Sequence, residues 1–499
     1  MPPARSRRAN ALLDIGIAHR HAEVACHGCV IRCLGSRYDV WLDMVRSPSI
    51  CQRLGRIEAP VTIISRITRR HFLQATGAAA AATPLLGPRT SSLSPLETLN
   101  VACVGVGGMG GSDLNATASG KNVNIAALCD IDAKNLGNAA KKHSGAKTFA
   151  DYRKMFDTMG KDIDAVVIAT PDHMHGSVAL AAMSLGKHVY CQKPIAHNLY
   201  ECREMANLAT KTGVVTQMGT QIHSHSAYRT AVATLRSGVI GKVHEAHLWV
   251  GKSWGGNAAG RPDKVDAVPD HVDWDLWLGV AKDRPYVQGQ YHPAQWRRWL
   301  DFGSGTLGDM GCHIFDPVFA ALGIGAPKSV VSNGPEHFRE MFAPDGDFLY
   351  EFPGTDQTAE TIKFRWTDGG GKKAAEKAQL PAGEKLPGAG SFLVGEKGVM
   401  VIPHWAPPRF YSKGEKMDVD VTTLPSKEHR HEWTDACRGE GKTSTPFSYA
   451  CPLTEAVLLG TVAGHFRGEK LHWDSSKMEF DNYLATALVH RIYRKGWQL

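Results

Sequence analysis

Between residues 98 and 218, short apolar runs alternate with longer segments of helical period. The runs span 98–104, 123–129, 164–170, 188–191 and 214–218, and each is apolar on both faces rather than on every second residue. That pattern marks strands buried between two layers. Helical segments, such as 174–185, separate them. Strands alternating with helices predict an α/β fold with a Rossmann-type, doubly wound parallel sheet. Beyond 242 the period changes. Residues 243–250 and 361–366 alternate apolar and polar side chains, and 391–402, with Gly395 and Gly398 in its middle, reads as a hairpin. This predicts a C-terminal α+β domain on a mostly antiparallel open sheet. Residues 369–390 read as a solvated loop. In 482–499, Leu484, Ala487, Leu488 and Ile492 form a helical stripe expected to dock against the first domain.

Length fits two or three domains, since the chain has 499 residues. The expected divisions are 1–64, a non-native or disordered extension; 65–92, a signal segment; 97–222, a dinucleotide domain; and 223–499, a substrate and oligomerisation domain. The net charge of +8 would suggest nucleic acid until it is located. Residues 1–90 hold 13 Arg, no Lys and 5 acidic residues, while the remaining 44 basic and 44 acidic residues cancel. The body therefore has no basic footprint, and nucleic-acid binding is excluded. Four of the 11 cysteines (Cys26, Cys29, Cys33 and Cys51) also lie in the leader. Cys26, Cys29 and Cys33 make half a zinc site at most, and His173/His175 and His223/His225 lack clustered carboxylates or thiols, so no metal is expected.

Thr68-Arg69-Arg70-His71-Phe72-Leu73-Gln74 precedes an alanine-rich stretch that ends around Pro84, Gly87 and Pro88. It resembles a twin-arginine signal, which implies passage through the twin-arginine translocase and a periplasmic or cell-envelope location. Such a signal belongs near an amino terminus. The arginine-rich, lysine-free residues before it point to a working start downstream, with Met44 a candidate.

The first strand runs into Gly105-Val106-Gly107-Gly108-Met109-Gly110, and Asp130 closes the second strand, 20 residues beyond Gly110. In a strand–turn–helix context this is a dinucleotide fingerprint. Gly105 permits the turn, Gly107 lets backbone approach pyrophosphate, and Gly110 lets helix pack on strand. The helix amino terminus offers free N–H groups to phosphate. Asp130 suits ribose hydroxyls and repels a 2′-phosphate, so NAD is favoured over NADP, with Asp132 a second candidate.

Ala169-Thr170-Pro171 with His175, and the run from Gly186 to Gln192-Lys193-Pro194, resemble the Gfo/Idh/MocA family. So do Trp296-Arg297-Arg298, the run from Gly308 to Asp316, and Tyr493 to Trp497. That family usually carries Glu where this chain has Gln192. The resemblance implies a Lys193–Asp309–His313 catalytic site; Asp309 and His313, four residues apart, share one face of a helix. It adds Thr170, Pro171, His175 and Lys193 to the cofactor residues Gly105, Gly107, Gly108, Met109, Gly110 and Asp130. Gln221, Trp296 and Arg297 are substrate candidates. Among the tryptophans, Trp249, Trp254, Trp274, Trp277 and Trp296 are read as core or as platforms for sugar rings. A tightly held NAD, a carbohydrate or polyol substrate, a homodimer or homotetramer, and a C-terminal sheet with one face packing helices and the other free for a partner subunit follow from the same resemblance. The implied reaction moves a hydride between nicotinamide and a hydroxyl or keto carbon. A base must take the hydroxyl proton, and His313 suits this because an ordinary imidazole titrates near ~6.5; Lys193 and Asp309 support it. Two alternatives are an NAD-dependent glycosidase using transient oxidation and a non-catalytic sugar or dinucleotide binder.

Overall fold

The computed structural model describes residues 97–256, 260–338, 340–370 and 375–498, together with the backbone of three strands nearer the amino terminus. Those strands, Glu23–Cys26, Cys29–Leu34 and Trp41–Met44, form an antiparallel sheet inside the segment expected to be non-native or disordered. The twin-arginine segment lies outside the described residues. The described residues from 97 onward belong to one compact unit.

Six strands make the first sheet: β1 (Leu99–Val104), β2 (Val123–Cys129), β3 (Lys147–Phe149), β4 (Ala165–Ile168), β5 (His188–Cys191) and β6 (Thr216–Met218). Their order is β3-β2-β1-β4-β5-β6, and every pairing is parallel. The central β1 and β4 are almost wholly buried, which is why their sequences carry apolar residues on both faces. Strand order reverses between β1 and β4, and ligands of such sheets bind at the carboxyl ends of the strands there. Gly105 follows β1 at a φ of +80°, and a Cβ on it would stand 2.6 Å from the Ala169 carbonyl oxygen beyond β4. A side chain at this crossing is sterically excluded.

The second sheet has ten strands and runs through both halves of the C-terminal region. Its central β7 (Val243–Val250) pairs parallel with β10 (Thr358–Asp368), and the other pairings are antiparallel. The hairpin read from Gly395 and Gly398 is β11 (Ala389–Gly395) with β12 (Val399–Pro403). Phe315, Phe319, Tyr350, Phe364 and Trp366 fill the helix-covered face. The other face is not free in the way expected. Residues 369–390 do not form a merely solvated loop, because Ala378, Leu380 and Leu386 pack onto Trp249, Phe392, Val401 and Tyr411. The Trp249 indole N–H donates to the Pro387 carbonyl at 2.8 Å. Nearer β9 (Asp347–Pro353) the same sheet carries ion pairs, Arg365–Asp347 and Lys470–Glu351 among them.

The expected helical stripe in the tail is also corrected. Only Tyr483–Ala487 is helical, and Leu484, Leu488 and Ile492 are exposed. Contact with the nucleotide domain runs through other side chains. Tyr493 donates to buried Glu201, the Arg491 guanidinium lies 3.1 Å from His197, and Trp497 packs beside Tyr152 under Arg153. These long-range partners outcompete helix continuation past Ala487. No helix among the described residues is long and apolar enough to cross a membrane.

Candidate active site

A cavity of about 600 Å³ opens where strand order reverses, and it joins the glycine turn to the side chains beyond β4 and β5. At one end stand Gly105, Gly107, Gly108, Met109 and Asp130; at the other stand Thr170, Pro171, His175, Lys193, Trp296, Arg297 and Asp309. Helix α1 (Gly108–Ala118) begins at this cavity with no side-chain cap and no acidic residue in its first turn, so its first N–H groups remain available to an anion. Gly110 is compulsory for close packing: a Cβ there would lie 2.0 Å from the Gly105 carbonyl oxygen. Thr170 Oγ1 is buried in the cavity wall without a hydrogen-bond partner. A bare helix terminus, a glycine turn and an orphaned hydroxyl fit a dinucleotide.

Asp130 lines the cavity while its two carboxylate oxygens accept the N–H groups of Val106 and Asp132, at 2.8 and 2.9 Å. Asp132, the second ribose candidate, is committed elsewhere: it caps the helix Ala133–Lys142 and bonds His292 at 3.0 Å. His175 places its ring nitrogens 2.7 Å from the Pro194 carbonyl and 2.8 Å from that of Thr170, tying the segments after β4 and β5 together. Burial holds its pKa down at about 4, so a neutral ring donates to one carbonyl and rests against the other. His173 is fully buried against the Phe302 and Trp277 carbonyls. His223 pairs with Asp316, and His225 caps a helix. Among the described residues no cluster suits a metal ion.

Helix α2 (Gly305–Ile314) presents Asp309 and His313. Lys193 donates to Asp309 twice, at 2.9 Å to the carboxylate and 2.7 Å to its backbone carbonyl. Lys252, absent from the sequence reading, donates to the other carboxylate oxygen at 2.6 Å, and the Trp254 indole N–H joins it at 2.7 Å. Arg297 Nε stands 3.4 Å from the same carboxylate. Burial would raise the Asp309 carboxyl, but Lys193, Lys252 and Arg297 overcome it and hold the group well below the usual carboxylate range. His313 Nδ1 faces the Thr220 hydroxyl at 3.2 Å, and the His404 ring is centred 5.8 Å away. Burial, reinforced by the charge of Lys193, keeps this imidazole neutral well below its ordinary pKa. A neutral imidazole beside an ammonium–carboxylate pair can take up a proton, and the ammonium can hold an oxygen that gains negative charge.

Of the substrate candidates, Trp296 and Arg297 line the cavity, with the guanidinium 4.2 Å above the Trp296 ring and 5.4 Å from that of Trp254. Gln221 does not join them. Its amide reaches the Tyr190 hydroxyl at 3.3 Å and Asp113 at 3.5 Å, inside a buried polar cluster. Gln192 belongs to that cluster too: its Nε2 donates to Asp113 at 2.8 Å while Arg430 donates to the opposite oxygen. Trp249 is core, and Trp274 stacks on Trp277 at 4.6 Å.

Comparison with known proteins matches residues 99–220 to the model of an oxidoreductase family's NAD-binding Rossmann fold, and residues 236–340 to that of an oxidoreductase family's C-terminal alpha/beta domain. The inositol 2-dehydrogenase of Salmonella typhimurium is 31% identical over 30% of this chain and 46% of its own length. The levoglucosan dehydrogenase of Pseudarthrobacter phenanthrenivorans is 24% identical over 44% of this chain and 50% of its own. The chain thus spans about half the length of these curated relatives. Among solved structures, the aldose-aldose oxidoreductase of Caulobacter crescentus shares the fold, with a TM-score of 0.52 at 16% identity over 75% of this chain and 99% of that one.

Proposed function

From the match of residues 99–220 and 236–340 to the two domain models of the Gfo/Idh/MocA family, we propose that the chain is an NAD-dependent oxidoreductase of that family acting on a hydroxyl or keto carbon of a sugar, glycoside or inositol-like polyol. One observation carries this reading: Lys193 and Asp309 pair at 2.9 Å in the wall of the cavity that begins at the glycine turn, and His313, kept neutral by burial, shares a helix with Asp309. NAD would supply the hydride acceptor, with the first N–H groups of α1 able to hold its phosphates and Asp130 its ribose. Lys193 orients the substrate oxygen and favours its developing negative charge. His313 receives the hydroxyl proton. Asp309 fixes the Lys193 ammonium and balances its charge. Trp296 and Arg297 close the substrate end and limit its access to water.

The same reading extends to the signal segment. Arg69-Arg70 with Phe72 and Leu73 supports export through the twin-arginine translocase and a cell-envelope location, as a homodimer or homotetramer that keeps its NAD and recycles it on a second sugar. Fractionation of cells carrying Arg69→Lys/Arg70→Lys checks export: retention of the double variant in the cytoplasm supports it, and unchanged localisation removes it. For the activity, the full chain is purified without added cofactor, released dinucleotide is identified by mass, and sugars and polyols are screened by absorbance at ~340 nm. Bound NAD(H) with sugar-dependent reduction supports the reading. A protein that neither contains nor binds NAD or NADP refutes it.

A further inference from the structure

Seven ionisable side chains meet at the substrate end of the cavity, and their charges do not balance. Lys193, Lys252 and Arg297 are cations that all converge on one carboxylate, Asp309. That carboxylate has no capacity left: one oxygen takes Lys193 and faces Arg297, and the other takes Lys252 and the Trp254 indole. The remaining acid is Asp172, buried in the wall and bonded to the Ser304 hydroxyl at 2.9 Å. Burial pushes its carboxyl up to about 7, against the lowering pull of Arg297. His313 and His404 are held neutral, chiefly by burial. The excess positive charge is therefore one unit with Asp172 ionised and two with it protonated. Oxidised nicotinamide, itself cationic, would add to it.

Arg297 and Lys252 sit where a ligand can reach them. Their side chains retain 26% and 43% exposure, whereas Asp309 retains 9%. The guanidinium lies 4.2 Å from the centre of the Trp296 ring and 5.4 Å from that of Trp254, and its Nη2 bonds to no described residue. A planar fork fixed in this way matches a carboxylate or phosphate through two N–H groups. A neutral sugar offers nothing to compensate this charge, and unpaired charge in a half-buried site is costly. We propose that the substrate of this site is an anionic sugar or polyol, whose carboxylate or phosphate is held by Arg297 and Lys252 while its reacting hydroxyl lies at Lys193 and His313.

This rests on the oxidoreductase reading for the reacting end only, so binding and turnover are measured separately. NAD-loaded full chain is titrated with glucuronate, glucose 6-phosphate, glucose and myo-inositol, followed by the fluorescence of Trp254 and Trp296, and NAD reduction is read in parallel. The expected result is about tenfold tighter binding of glucuronate or glucose 6-phosphate than of glucose, a tenfold step being the effect of one modest ionic contact. That preference is lost on raising salt and in Lys252→Gln. The two anions tell a carboxylate-bearing substrate from a phosphorylated one. Equal affinity for charged and neutral probes, or a preference untouched by Lys252→Gln and salt, overturns the proposal. An anion preference without NAD reduction by any probe leaves the anion site standing and sinks the oxidoreductase reading.

Discussion

Asp309→Asn keeps the volume of the side chain and removes the one charge that three cations share. Lys193, at 13% exposure, is then a half-buried ammonium facing an amide. Removing one partner of a buried pair costs about 3–5 kcal/mol, and the amide oxygen left in place puts the variant at the lower end of that range. Lys252, at 43% exposure, is screened and adds less than about 1 kcal/mol. For a cooperative unit of roughly 400 residues, a loss of about 3 kcal/mol corresponds to a fall in Tm of roughly 3–4 °C. The pH dependence has a fixed sign. Asp309 has a folded pKa below its unfolded value, so its contribution is complete above the unfolded carboxylate pKa of about 3.9 and is lost as pH falls through the folded one. Melting curves of both proteins across pH should therefore run parallel from neutral pH to about 5 and converge below it. Turnover should fall by about 10²–10³, the cost of removing one preorganised electrostatic contact, while NAD affinity stays near normal. A Tm difference under about 1 °C at neutral pH, or one that persists unchanged below the folded-state pKa, would refute this account of the ion cluster.

His313→Gln should lower kcat by about 10²–10⁴ and leave dinucleotide binding intact. Because the folded imidazole titrates well below its usual value, the acid limb of the wild-type rate profile should lie below about 6.5 and vanish in the variant; a limb at or above that value contradicts the assignment. Gly110→Ala should abolish NAD retention, since its Cβ would meet the Gly105 carbonyl at 2.0 Å; a retained cofactor in the purified variant would show that the turn yields. Gln192→Glu should destabilise the protein at neutral pH by setting a second carboxylate against buried Asp113, and the deficit should shrink on acidification as the pair takes up a proton. Differential scanning calorimetry at two pH values decides it, equal deficits at both counting against it.

Much of this was legible because the physics is local. β1, β2 and β5 announce themselves as runs apolar on both faces, and the glycines around Gly105 stand where a Cβ would strike backbone. Asp309 and His313 share a helix face by spacing alone. Side chains that arrive from far along the chain left no such mark. Lys252 follows the end of β7 and His404 follows β12; neither lies in a pattern pointing to the cavity. Strand-end reasoning located the segment 217–221 but not the direction of Gln221, which its bond to Tyr190 decides. In 369–390 a polar composition concealed Ala378, Leu380 and Leu386. The tail's apolar period suggested a helix, while Arg491, Tyr493 and Trp497 were committed to distant partners.

Trp497 lines the same cavity as Gly105, nearly four hundred residues earlier in the chain. During synthesis the glycine turn, Asp130 and Thr170 emerge from the ribosome long before the wall they share with Trp497 exists. At about 5–20 residues per second, the interval lasts roughly 20–80 seconds. A nascent chain can therefore assemble the six-stranded sheet while its nucleotide pocket still lacks a side. Firm retention of dinucleotide becomes a mark of finished translation, and any quality control that senses the loaded cofactor senses the tail as well.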